Sequence, residues 1–234
     1  MSGEGEFMGL AHVFHAELVA PEVPQDTPIV FVVDDDIYVR ESLARLIRCE
    51  GWRPETFGSA REFLSCSRAD VPSCLILDFA LPELDGLALQ KRLAAERPEL
   101  PIVFVTGYAD IPTTVLAMKA GALEFLTKPF NGDVLLNAVR EGLERSRVLL
   151  DRETKMRALR NRYVSLTCRE RQVMSLVVTG LLNKQVGAEL GISEITVKAH
   201  RGRVMQKMNA NSLADLVKMA SRLHLEPCLL QAAA

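Results

Sequence analysis

The chain has 234 residues, 48% hydrophobic and 25% charged, with 14 Gly and 11 Pro; that length suits two domains of about 100–150 residues better than one core, and the composition excludes disordered, collagen-like and low-complexity classes. The net charge of −2 conceals an asymmetry, because residues 1–150 carry 14 Lys and Arg against 23 Asp and Glu, a net of −9, whereas residues 151–234 carry 14 against 7, a net of +7. No apolar run reaches the ~20 residues of a membrane-spanning helix, and the first cationic side chain is Arg40, so the charged start of an export signal is missing and the expectation is a cytoplasmic protein with no membrane partner.

Residues 1–28 mix Gly-rich, acidic and Pro-interrupted stretches around one apolar patch, LAHVFHAELVA, and read as a poorly ordered arm ahead of the fold. From Ile29 five strand-like runs alternate with helix-period segments: IVFVV at 29–33, ETF near 55–57, CLILD at 74–78, IVFVT at 102–106 and LEFLT at 123–127. This alternation predicts an α/β fold, a parallel sheet wrapped by helices, and the runs apolar from end to end predict strands covered on both faces. After Asn131 a helical pattern continues through RALRNR with no Pro, and no Gly beyond Gly142, which predicts a long helix acting as a stiff spacer. Cys49, Cys66, Cys74, Cys168 and Cys228 lack any CxxC pairing and read as reduced, mostly buried thiols without chemistry.

In open α/β sheets, ligands bind beyond the carboxyl ends of the strands. The unusual polar residues lie there: Asp34, Asp35 and Asp36 after the first run, Asp78 closing the third, Thr106 closing the fourth and Lys128 after the fifth. Asp36 fits a helix N-cap. Crowding Asp34, Asp35 and Asp78 is costly unless a cation lies between them, and Mg2+, a hard ion that takes one or two carboxylates and keeps water and phosphate oxygens, fits that demand. Lys128 would add a positive charge and Thr106 a hydroxyl, so that Asp78, alone at its strand tip, is suited to in-line attack on a phosphoryl group.

The segments IVFVVDDD, LILDFALPELDG, VFVTGYAD and AGALEFLTKPF, in that order, make residues 29–146 resemble a two-component receiver domain. The resemblance implies a (βα)5 doubly wound fold, with Asp34 and Asp35 as the acidic pair and Asp78 as phosphoacceptor. It further implies Thr106 as switch hydroxyl, Lys128 as the lysine before a cis proline, and the Ala80 backbone carbonyl as a further Mg2+ ligand. Phe125 matches the switch aromatic, or is a plain sheet residue.

Beyond a helical linker at 147–164, Thr167 and Glu170 form a capping-box pattern opening a helix that Gly180 ends. A short helix after Asn183, a turn at Gly191, a basic helix capped by Ser193 and a fourth capped by Ser212 complete a helix-turn-helix pattern. Val197, Val204 and Met208 form the apolar face of the basic helix, with Lys198, Arg201 and Lys207 away from it and Thr196 placed for a phosphate contact; a solvated basic helix in an interaction module is the plainer alternative. His200 reads as a packed or capping imidazole.

Residues 165–226, from SLTCRERQVM to ITVKAHRGRVMQKMNANSLADLV, resemble the LuxR-type four-helix DNA-binding domain, and with the receiver the chain is similar to the NarL/FixJ response regulators, nearest the FixJ-like branch. The resemblance implies base contacts from Lys198 and Ala199 and phosphate-side contacts from Lys184, Thr196 and Arg201, with Arg203 and Lys207 on the same reading helix. Gly202 departs from the family pattern. Leu213, Leu216 and Val217 are dimer candidates, a core-facing stripe being the alternative, and 227–234 is a tail. The implied protein is not an enzyme: a sensor histidine kinase phosphorylates Asp78, and the homodimer then binds double-stranded operator DNA, with RNA polymerase as a further partner. In the resting chain the receiver is expected to occlude the reading helix or the dimer face. The rivals are an Mg2+-dependent aspartyl phosphatase or phosphotransferase, disfavoured by the lack of a DxD motif around Asp78, and an RNA-binding antiterminator, disfavoured by the helix-turn-helix spacing.

Overall fold

A computed structural model describes residues 26–67, 70–82, 86–107 and 110–225. The arm expected over 1–28, apart from its last three residues, and the tail at 227–234 lie outside the described residues. In chain order the elements are β1 (Ile29–Val33), α1 (Ile37–Cys49), β2 (Arg53–Phe57), α2 (Ala60–Leu64), β3 (Ser73–Asp78), α3 (Gly86–Glu96), β4 (Ile102–Thr106), α4 (Ile111–Lys119) and β5 (Glu124–Thr127); then α5 (Gly132–Val164), α6 (Cys168–Val177), α7 (Asn183–Leu190), α8 (Glu194–Met208) and α9 (Leu213–Arg222). They form two compact units divided between Leu143 and Glu144.

In the first unit the five strands make one parallel sheet, ordered β2-β1-β3-β4-β5. β1 shows why an unbroken apolar run was needed. Ile29, Phe31 and Val33 enter one core with Leu75 and Leu77, whereas Val30 and Val32 enter the other with Cys74 and Ile76, because successive strand residues face opposite sides and both sides are covered. The chain leaves β1 for β2 on one side and crosses back to β3 on the other, so the central pair β1/β3 is the point at which strand order reverses. The register sets Val33 beside Leu77, Asp78 beside Val105 and Thr106 beside Thr127, which brings the strand ends level.

The second unit is helical. Val173, Met174 and Val177 of α6, Val186 of α7, Val197, Val204 and Met208 of α8, and Leu216 and Ala220 of α9 share one core with Leu159 of α5. Both halves of the expected capping box close: Thr167 Oγ1 accepts the Glu170 N–H, and the Glu170 carboxylate accepts the Thr167 N–H. α6 stops at Val177, three residues short of Gly180, which takes the left-handed conformation just after it. The cysteines depart from the expectation of burial. Cys74 is buried, and burial pushes its thiol up to about 12, but Cys49 and Cys168 stand at helix ends and are exposed, and Cys66 is half-buried; Cys228 lies outside the described residues.

Candidate functional site

β1 ends where its buried run meets the first carboxylates. Asp34 remains tied to the sheet, its N–H donating to the Phe57 carbonyl at 3.3 Å, and its side chain is 1% exposed. Its Oδ1 accepts the Asp36 N–H at 2.9 Å, while the Asp36 carboxylate caps α1 by accepting the Tyr38 N–H at 2.8 Å. Asp78 is buried at the tip of β3, and its Oδ1 accepts the Ala80 N–H at 2.9 Å. From the end of β5, Lys128 donates its backbone N–H to the Thr106 carbonyl at 2.7 Å and precedes a cis peptide bond to Pro129. Its Nζ bridges the two buried acids, 2.6 Å from Asp34 Oδ2 and 2.8 Å from Asp78 Oδ2. Asp35 is exposed, yet one oxygen from each of Asp34, Asp35 and Asp78 lies within 4.8 Å of the others.

Three carboxylates around one ammonium leave the cluster short of positive charge. Burial pushes the Asp34 carboxyl above its ordinary value, a shift that hydrogen bonds from Lys128 and Asp36 oppose and the Asp78 charge reinforces. For Lys128 burial alone would favour the neutral amine, but its hydrogen bonds to Asp34 and Asp78 prevail and hold its proton more tightly than usual. A hard divalent cation fits this all-oxygen donor set and, if bound, would supply the missing charge.

Thr106 is wholly buried at the end of β4. Phe125, half-buried in β5, packs its ring 5.8 Å from Phe79 and 5.9 Å from Phe104. Phe79 directly follows Asp78, so an aromatic trio links the acidic tip of β3 to β5, a connection that the sequence reading missed. It also missed Arg40, whose guanidinium donates to the carbonyl oxygens of Asp34 at 2.7 Å and Asp35 at 3.0 Å. The available signal was its place in the first turn of α1, six residues after Asp34.

In the second unit Ser193 caps α8 by accepting the Thr196 N–H. Lys184, Thr196, Lys198, Ala199 and Arg203 are exposed, and Lys198 pairs along the helix with Glu194 at 3.1 Å. Arg201 differs from the expectation that it stands clear of the apolar stripe. At roughly 100° per residue it falls only about 40° from Val197; it is half-buried and donates to Asn183 Oδ1 at 3.1 Å, joining α8 to α7. Lys207 is exposed, but its Nζ is engaged, lying 2.7 Å from the buried Glu170 carboxylate and 3.3 Å from the Ser165 carbonyl. His200 is half-buried, as a packed imidazole would be. Among the dimer candidates Leu216 requires correction: it is 0% exposed and belongs to the unit's own core, Leu213 packs partly against that core, and Val217 remains 40% exposed.

Comparison with known proteins agrees with both halves. The family model described as "Response regulator receiver domain" matches residues 30–140, and that described as "Bacterial regulatory proteins, luxR family" matches 164–220. Nodulation protein W of Bradyrhizobium diazoefficiens is 52% identical over 195 residues, 83% of this chain and 86% of the relative. The transcriptional regulatory protein FixJ of the same organism is 38% identical, over 82% of this chain and 94% of FixJ. The solved structure of the response regulator StyR is 47% identical with a TM-score of 0.76, over 84% of this chain and 99% of StyR. Two buried aspartates with an exposed third at the strand-order reversal, a basic helix capped by Ser193 and relatives that cover 82–84% of the chain lead to one assignment: the chain belongs to the two-component response regulators that join a receiver to a LuxR-type helix-turn-helix, a family of phosphorylation-dependent transcriptional regulators.

Proposed function

We propose that Asp78 is the phosphoacceptor and that Asp34, Asp35, Asp78 and the Ala80 carbonyl hold the Mg2+ that phosphorylation requires. The observation carrying this reading is the Lys128 ammonium shared between Asp34 Oδ2 and Asp78 Oδ2 at the level strand ends. An Asp78 oxygen attacks the phosphorus of a phosphohistidine on the sensor kinase; the P–O bond forms as the P–N bond breaks, and the imidazole nitrogen leaves with the electron pair. Lys128 stabilises the negative charge that accumulates on the transferring oxygens. The cation, when bound, neutralises the phosphoryl charge that Lys128 alone cannot balance.

The donor has a route to this site. A groove of about 440 Å³ lined by Tyr38, Val39, Ser42, Leu43, Leu46, Lys128, Pro129 and Phe130 runs beside it, and the exposed Ile37 and Tyr38 sit at the start of α1. The new phosphoryl group then draws the Thr106 hydroxyl, and Phe125 follows it inward, a local charge event that biases a two-state element. Phosphorylation favours a cytoplasmic homodimer that reads operator DNA, with Val217 on the pairing face. Lys198 and Ala199 address bases, while Lys184, Thr196 and Arg203 address phosphates and Arg201 fixes α8 against α7. RNA polymerase is the downstream partner at the promoter.

Incubation with Mg2+ and 32P-labelled acetyl phosphate tests the acceptor. The label should appear as an acid-stable, base-labile protein adduct and be lost in Asp78→Asn; label retained in that variant, or turnover of the donor without a trapped adduct, would overturn the assignment. Binding measured on duplex DNA and on structured RNA separates operator reading from antitermination, since only the former predicts a duplex preference.

A further inference from the structure

The outward face of α8 carries an apolar residue that core packing does not explain. Ile195 is 80% exposed, although Ile is among the residue types most often buried. It shares its face with Lys198, Ala199 and Gly202, at spacings of three, four and seven residues, directly opposite the buried stripe of Val197, Val204 and Met208. Lys198 and Ala199 are exposed, and a Cβ at Gly202 would meet nothing within 4 Å. The readable chemistry of this face is therefore concentrated in its first half: a branched hydrocarbon, an ammonium and a methyl group. Of the groups that base edges present in the major groove, the C5-methyl of thymine is the one that hydrocarbon recognises.

We propose that Ile195 is a specificity-determining residue whose branched tip packs on a thymine C5-methyl beside the base pair addressed by Lys198 and Ala199. This rests on α8 being the reading helix. Duplex DNA is the occupant that suits this face, because Lys198 lies one turn on, exposed and held only by a solvent-exposed pair with Glu194 at 3.1 Å, and Arg203 and Lys184 are exposed in the same unit.

The test uses the full-length protein, treated with acetyl phosphate and Mg2+, to select duplexes from a random library. Each thymine of the enriched duplex is then replaced by deoxyuridine, which removes only the methyl group. At least one replacement should weaken wild-type binding about three- to fivefold, the scale of one buried methyl. Ile195→Ser should lose a similar factor on the thymine duplex, become indifferent to that replacement and keep an unchanged salt slope, because no charge is altered; Ile195→Val should keep the methyl dependence. The inference is overturned if no replacement weakens wild-type binding, or if Ile195→Ser keeps the same sensitivity, which would transfer it to Ala199. Failure to enrich any sequence would instead count against α8 as a reading helix and would remove this inference with it.

Discussion

Lys207 of α8 and Glu170 of α6 form an ion pair with Nζ 2.7 Å from Oε2, the Glu170 side chain being almost completely buried and also accepting the Thr167 N–H. One carboxylate thus joins α8 to the N-terminus of α6. Removing its cationic partner strands a buried charge. Lys207→Met should destabilise the second unit by about 2 kcal/mol, less than the ~3–5 kcal/mol of a fully buried pair because Lys207 keeps some contact with water. Hydrogen exchange of α6 and α8 amides reads this directly.

The same pair sets an acid limit. The Lys207 hydrogen bond, followed by the Thr167 N–H, holds the Glu170 carboxyl below its ordinary value of 4.5. A lowered folded value means that this stabilisation is complete above about pH 4.5 and is lost as pH falls through the lower folded value. Acid titration of α6 and α8 protection should show that loss, and Glu170→Gln should flatten the dependence over the same window. An identical acid profile in Glu170→Gln would contradict the assignment.

Asp34 shows the opposite sign. Burial raises its carboxyl above the ordinary value, so ionisation costs stability in the metal-free fold. Asp34→Asn should raise the melting temperature of the first unit at neutral pH without Mg2+. Added Mg2+ should stabilise the wild type in proportion to ln(1 + [Mg2+]/Kd) and leave the variant nearly unchanged. Calorimetry with and without EDTA checks both.

Two glycines of the helix-turn-helix should respond in opposite directions to the same added methyl. At Gly187 a Cβ would lie 2.7 Å from the Ile192 carbonyl, a rigid backbone atom, so Gly187→Ala should cost about 1–3 kcal/mol. Gly202 sits in mid-helix with open space around its would-be Cβ, so Gly202→Ala should gain up to about 1 kcal/mol of stability. Denaturant melts of the two variants settle the contrast.

On α9, neighbouring residues separate folding from the proposed pairing. Leu216→Ala should cost about 2–5 kcal/mol of stability through the cavity it leaves in the core. Val217→Asp should leave the fold intact and weaken dimerisation of the phosphorylated chain, as sedimentation would report.

What the sequence by itself determined is local and periodic. The strands were legible because both-face burial demands unbroken apolar runs, and the acids Asp34 and Asp78 were legible because they interrupt those runs where the sheet ends. The capping box and the Ser193 and Ser212 caps were legible because each is satisfied within a few residues. Only the tertiary structure decided which side chains meet across long separations: Lys128 on Asp34 and Asp78, 94 and 50 residues away, Lys207 on Glu170, 37 residues away, and Arg201 on Asn183, 18 residues away. It also decided that Leu216 is core and Val217 is surface. Helical periodicity defines an apolar stripe only to within about a residue, and a long side chain at its edge commits to whichever buried carboxylate or carbonyl the packing of other helices brings within reach.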